Sequence, residues 1–151
     1  MTITLTAAVS RYVESEADSG IGATVQPEMD TVLLVDDDAL VRAVAVAILA
    51  NAGFKVIEAT NGDEAVVALG RHPQITVLFT DVDMPGSLDG FALARLAAER
   101  FPYLAILVGS GKMLPHPDDL PHGSMFIPKP YRQGTVVQMI RQLTAERQAR
   151  R

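Results

Sequence analysis

Four apolar runs in this chain each lead into a different reactive side chain. Thr31–Val35 leads into Asp36, Asp37 and Asp38, and Ile75–Thr80 into Asp81. Leu104–Val108 passes through Gly109 to Ser110, and Met125–Ile127 through Pro128 to Lys129. Short apolar runs rich in β-branched residues and bounded by turn formers read as buried strands. As parallel strands of one sheet they place all four chemistries on one edge, where open α/β sheets bind their ligands. Clustered carboxylates, a hydroxyl and an ammonium group suit a divalent metal and a phosphoryl group.

The segments between these runs carry helical signals. From Ala39 to Asn51, Leu40, Val44, Ala47 and Ile48 recur at helical spacing; Asp38 can cap the first turn and Gly53 can end the last. Lys55–Ala59 reads as a further strand. Thr60 or Asn61 can cap a helix over 62–71 carrying Ala65, Val66 and Leu69. A loop with Pro85 and Gly86 precedes a helix over 89–100 with Phe91, Leu93, Leu96 and Ala97. The last helix, 133–148, carries Val136, Val137, Met139, Ile140 and Leu143. Strands alternating with helices predict crossover connections and a parallel sheet, an α/β fold. The stretch between Ser110 and Met125 holds Pro115, Pro117 and Pro121 besides Gly111 and Gly123. Internal prolines remove amide donors and clash with the preceding turn, so an irregular loop or a single turn is expected there.

Residues 1–30 read as a flexible leader, broken by Gly20, Gly22 and Pro27, with a weak helical stretch over Ala7–Ala17. Arg11 is followed by Glu14, Glu16 and Asp18, which does not fit a secretory signal. The domain itself is placed at 31–148, with a basic tail over 149–151. One domain of this size can bury an ordinary core. Cysteine is absent, which removes a disulfide framework, a thiolate metal site and a thiol nucleophile, and fits a reducing, cytoplasmic setting. A net charge of −5 gives no reason to expect nucleic-acid binding, and no apolar run reaches the roughly 18 residues of a membrane span.

Adjacent carboxylates repel: two unit charges about 4 Å apart cost on the order of 4 kcal/mol at an effective dielectric near 20. A bound Mg²⁺ or Mn²⁺ removes that cost. Asp38 is adequately explained as a helix cap. Asp36 and Asp37 follow a fully apolar strand while another acid ends a later one, which favours a metal site. Asp81 is the candidate nucleophile, since aspartate can form an acyl phosphate. Lys129 and Ser110 can contact phosphoryl oxygens from the other side. His72, His116 and His122 lack metal-ligand spacing and lie beside prolines or in turns.

The segments VLLVDDDALVR, LFTDVDMPGSLDG, ILVGSG and FIPKPY resemble, in order and spacing, the signature segments of the response-regulator receiver domain of bacterial two-component signalling. The resemblance covers about residues 31–147. It implies a flavodoxin-like, doubly wound, five-stranded parallel sheet. It implies that Asp36 and Asp37 organise Mg²⁺ together with Asp81 and the main-chain carbonyl of Asp83. Asp81 would accept phosphate from a sensor histidine kinase or phosphotransfer protein. Lys129 would be the family's lysine, with a cis peptide to Pro130. Ser110 and Phe126 would be the switch pair, and Asp83 and Lys112 would tune phosphate lifetime.

Three departures from the family pattern stand out. The loop PGSLDG is one residue longer than the commonest form. The Pro-rich segment 111–123 leaves the helix between the fourth and fifth strands short or replaced by a loop. No effector domain is expected after the last helix. The leading expectation is a stand-alone receiver, not an enzyme beyond Mg²⁺-dependent self-phosphorylation and slow self-dephosphorylation, that switches binding to an output protein; homodimerisation is left open. A haloacid-dehalogenase-type phosphatase, with Asp81 as nucleophile and Asp83 as acid/base, is the enzymatic alternative, but it leaves Asp36 and Asp37 without a role. A non-switching receiver acting as phosphate sink or scaffold is the third reading.

Overall fold

The computed structural model describes residues 29–149 apart from Met113. The expected leader therefore falls outside the described residues except for Met29 and Asp30, and the tail does so at Arg150 and Arg151. The elements alternate as β1 (Thr31–Val35), α1 (Ala39–Asn51), β2 (Lys55–Ala59), α2 (Gly62–Arg71), β3 (Ile75–Asp81), α3 (Gly90–Arg100), β4 (Ala105–Ser110), β5 (Met125–Pro128) and α4 (Gln133–Ala149). All neighbouring strands pair in parallel, in the order β2-β1-β3-β4-β5. This is the flavodoxin-like order expected, with the reversal of winding between β1 and β3.

Period-two alternation explains how the sheet buries both faces. Leu33 and Val35 of β1, Leu78 of β3, and Ile106 and Val108 of β4 point to one side, where α2 and α3 contribute Ala65, Leu69, Leu93, Ala94 and Ala97. Val32 and Leu34, Val77 and Phe79, and Ala105 and Leu107 point to the other, against Ala45 and Leu49 of α1 and Val136, Ile140 and Leu143 of α4. A strand apolar on both faces can only sit in the middle of such a sandwich.

Each helix that follows β1, β2 or β3 starts with an Asx cap. The Asp38 carboxylate accepts from the Leu40 and Val41 amides, Asn61 from that of Glu64, and Asp89 from that of Ala92. Gly53, at φ 96°, turns the chain out of α1.

The structure corrects the face assigned to α1. Leu40 is 75% and Val44 53% exposed, whereas Ala45, Leu49 and Ala50 are buried. The helix is apolar almost all round, so periodicity alone does not choose a face. Three strands also run one or two residues further than expected. Parallel pairing continues through Asp81 opposite Gly109 and Ser110 opposite Pro128, so the reactive ends belong to the ladder. Between β4 and β5 the only helical element among the described residues is a 3₁₀ turn, Pro117–Asp119. Leu120 packs against the core beside it, and an Arg95 guanidinium N–H donates to the Asp119 carbonyl at 3.3 Å.

Candidate functional site

β1 and β3 lie side by side, so their C-terminal ends bring Asp36, Asp37 and Asp81 together. One oxygen from each carboxylate lies within 4.8 Å of the others. Asp36 is buried and held on every side. Its amide donates to the Ala59 carbonyl at 3.2 Å. Its Oδ1 accepts from the Asp38 amide at 2.9 Å, and its Oδ2 from Lys129 Nζ at 3.0 Å. Asp37 is exposed and faces the opening. Lys129 reaches this rim because β5 pairs with β4 and the Lys129 amide donates to the Ser110 carbonyl at 2.9 Å. The Lys129–Pro130 peptide is cis. The same ammonium lies 3.2 Å from Asp81 Oδ1, so it bridges two of the three carboxylates.

The electrostatics follow from burial. Loss of water raises the Asp81 pKa above the ordinary carboxylate value; the charge and hydrogen bond of Lys129 oppose the rise, while Asp36 and Asp83 add to it. For Lys129, burial pushes the pKa down. The hydrogen bond that Lys129 donates to Asp36 and the charges of Asp81 and Asp36 outweigh it, and the net shift is upward. Lys129 therefore remains an ammonium ion. Three carboxylates against one ammonium leave two negative charges unmatched. Hard oxygen donors with excess negative charge at a partly open site fit Mg²⁺, which takes one or two carboxylates and keeps several waters. Beside the carboxylates lies a cavity of about 330 Å³ lined by Asp37, Val82, Asp83, Met84, Pro85 and Asp89. It offers room for a hydrated ion and a phosphoryl group.

The remaining expected residues lie around this rim. Ser110 ends β4 with 2% exposure, and its Oγ accepts from the Lys112 amide at 3.2 Å. The Lys112 side chain is exposed. Asp83 lines the cavity, half-buried. Phe126, on β5 opposite Val108, is half-buried against the α2–α3 side of the core.

Four supporting features lay beyond sequence reasoning. A Cβ on Gly90 would sit 2.1 Å from the Asp81 carbonyl oxygen, so only glycine lets α3 start against the end of β3. The fully buried Thr80 hydroxyl donates to that same carbonyl at 2.9 Å. Tyr131 tilts against Phe79, ring centroids 5.6 Å apart, under the Lys129 loop. Arg42 reaches from α1 to the Asp36 carbonyl at 2.8 Å and to Glu58 of β2 at 3.1 Å. The expected helix over 89–100 placed its start close to this approach; the contacts themselves carry no local signal.

The arrangement gives Asp36 and Asp37 a place beside Asp81, the role the phosphatase alternative lacks, and no comparison supports that alternative. The family model of the response regulator receiver domain matches residues 32–141. The chain is 34% identical over 118 residues to the response regulator receiver protein CpdR of Brucella abortus, covering 76% of this chain and 97% of that one. It is 38% identical over 77 residues to the DNA-binding transcriptional regulator NtrC of Salmonella typhimurium, spanning 51% of this chain but only 16% of that protein. A receiver protein structure from Sinorhizobium medicae superposes with a TM-score of 0.71 at 28% identity, over 81% of this chain and 99% of its own. No helix among the described residues is long and apolar enough to cross a membrane. With the fold, the acidic edge and the family match in agreement, the chain belongs to the response regulator receiver domain family.

Proposed function

We propose that Asp81 is the phosphoacceptor of this receiver, with Asp36, Asp37, Asp81 and the Asp83 carbonyl holding Mg²⁺. The single ammonium of Lys129 bridging Asp36 and Asp81 carries this reading, because it stands where a phosphoryl group on Asp81 would need a counter-charge. An Asp81 carboxylate oxygen attacks the phosphorus of a phosphohistidine or a small acyl phosphate. The P–N or P–O bond breaks, and its electron pair leaves with neutral imidazole (its other nitrogen protonated) or with carboxylate. Lys129 steadies the phosphoryl oxygens, and bound Mg²⁺ supplies the remaining charge neutralisation. The Ser110 hydroxyl then exchanges its contact with the Lys112 amide for a phosphoryl oxygen, and Phe126 repacks behind it. Asp83 and Lys112 flank the route by which water reaches the acyl phosphate, and so set its lifetime.

A sensor histidine kinase or a phosphotransfer protein is the donor in this reading, an output protein reads the switched state, and the setting is cytoplasmic. Residues 31–148 form the receiver, between a leader over 1–30 and a basic tail. The near-full coverage of the single-receiver relative supports action as a stand-alone module. Incubation with acetyl phosphate and Mg²⁺ is expected to add one phosphoryl group at Asp81, detected by intact mass and peptide mapping. Asp81→Asn abolishes it. Wild-type protein that binds Mg²⁺ yet gains no mass would overturn the assignment.

A further inference from the structure

Arg42 lies outside every role assigned so far, yet its side chain is only 17% exposed and its guanidinium makes two directed contacts. One nitrogen donates to the Asp36 main-chain carbonyl at 2.8 Å; Nε donates to Glu58 at 3.1 Å. Glu58 sits on β2, opposite Leu34 of β1. The backbone of Asp36 is thus held on both sides of its Cα, its amide donating to Ala59 of β2 and its carbonyl accepting from Arg42 of α1. We infer that the Arg42–Glu58 pair is a positioning device that presets the β1–α1 turn for Mg²⁺ before the ion arrives. This inference rests on the proposed Mg²⁺ site.

Electrostatics and geometry predict opposite signs here, which makes the idea decidable. A cation beside the acidic pocket opposes Mg²⁺ by charge alone, and Glu58 cancels most of that effect. Removing Arg42 by charge alone would therefore tighten Mg²⁺ binding. If Arg42 instead holds the turn, its removal lets Asp36 and Asp37 spread, and the ion must gather them at its own cost. Planar, forked guanidinium geometry is what allows one side chain to serve a carbonyl and a carboxylate together; a lysine ammonium on a flexible stem would not hold both with the same orientation.

The test is Mg²⁺ titration by calorimetry of the full chain, comparing wild type with Arg42→Met and with the double variant Arg42→Met/Glu58→Met. The double variant leaves net charge unchanged and replaces the pair by apolar residues of similar length, a change that partly buried ion pairs commonly tolerate without unfolding. Both variants are expected to raise the Mg²⁺ Kd by on the order of tenfold. The maximal rate of acetyl-phosphate labelling should recover at saturating Mg²⁺, separating loss of metal affinity from loss of chemistry. A tighter Kd in Arg42→Met, or a double variant matching wild type, overturns the inference while leaving the metal site standing. A wild-type protein that takes up no Mg²⁺ overturns the reading of the pocket, and this inference with it.

Discussion

Gly90 shows how a single missing side chain governs the site. The first turn of α3 runs directly against the backbone of Asp81 and Val82, and the Gly90 amide donates to the Val82 carbonyl at 2.9 Å. An added methyl group would meet main-chain atoms at 2.1 to 2.7 Å, and none of them belongs to a side chain that could swing away. Gly90→Ala is therefore expected to destabilise the fold by about 3 kcal/mol, the upper part of the range for overpacking. A urea midpoint that falls at unchanged slope would record it; a variant as stable as wild type would contradict the close approach. The sequence placed the start of a helix at about 89, but a distance between two segments is not written in either of them.

At the scale of elements, the caps were the most legible features. Asn61 caps α2 through the Glu64 amide, while the Glu64 carboxylate returns to the Thr60 amide at 2.9 Å and to its hydroxyl. The hydrogen bonds from Thr60 hold the Glu64 carboxyl below its usual range. Asn61→Ala should cost about 1 kcal/mol, measured by thermal unfolding at neutral pH. Alternation of strand and helix, the helix ends and the loss of regular structure in the Pro-rich stretch were all readable, because capping chemistry and proline act locally. The face of α1 was not, since a helix rich in Ala, Val, Leu and Ile takes its rotation from its neighbours. Strand ends were under-read for the same reason. Asp81 and Ser110 stay in the ladder because partner strands supply the pairing, whatever their own β-propensity.

Across the whole molecule, the pocket sets stability against reactivity. Burial raises the Asp81 pKa, so the folded state binds that proton more tightly than the unfolded chain does. Ionised Asp81 therefore subtracts from stability. The penalty begins to accumulate at 3.8, the unfolded value, and is complete above the folded pKa. Asp81→Asn removes it while Lys129 keeps Asp36 at 3.0 Å. In chelator at neutral pH this variant should unfold at a higher temperature than wild type. Its advantage should shrink as the pH falls back through the folded pKa of Asp81; a less stable Asp81→Asn at neutral pH would contradict the account. Convergence of Asp36, Asp37, Asp81 and Lys129 on one edge was foreseeable, because parallel strands order their ends. Arg42, Thr80 and Tyr131 were not, because their value lies in contacts that only the assembled layers create.

The ammonium at Lys129 is 93 residues along the chain from the Asp36 carboxylate it bonds. On the ribosome, the three acids emerge long before their counter-charge. A nascent chain that has not yet docked β5 beside β4 presents these carboxylates without the ammonium that bridges two of them, so the acidic edge is complete only once the last strand has joined the sheet.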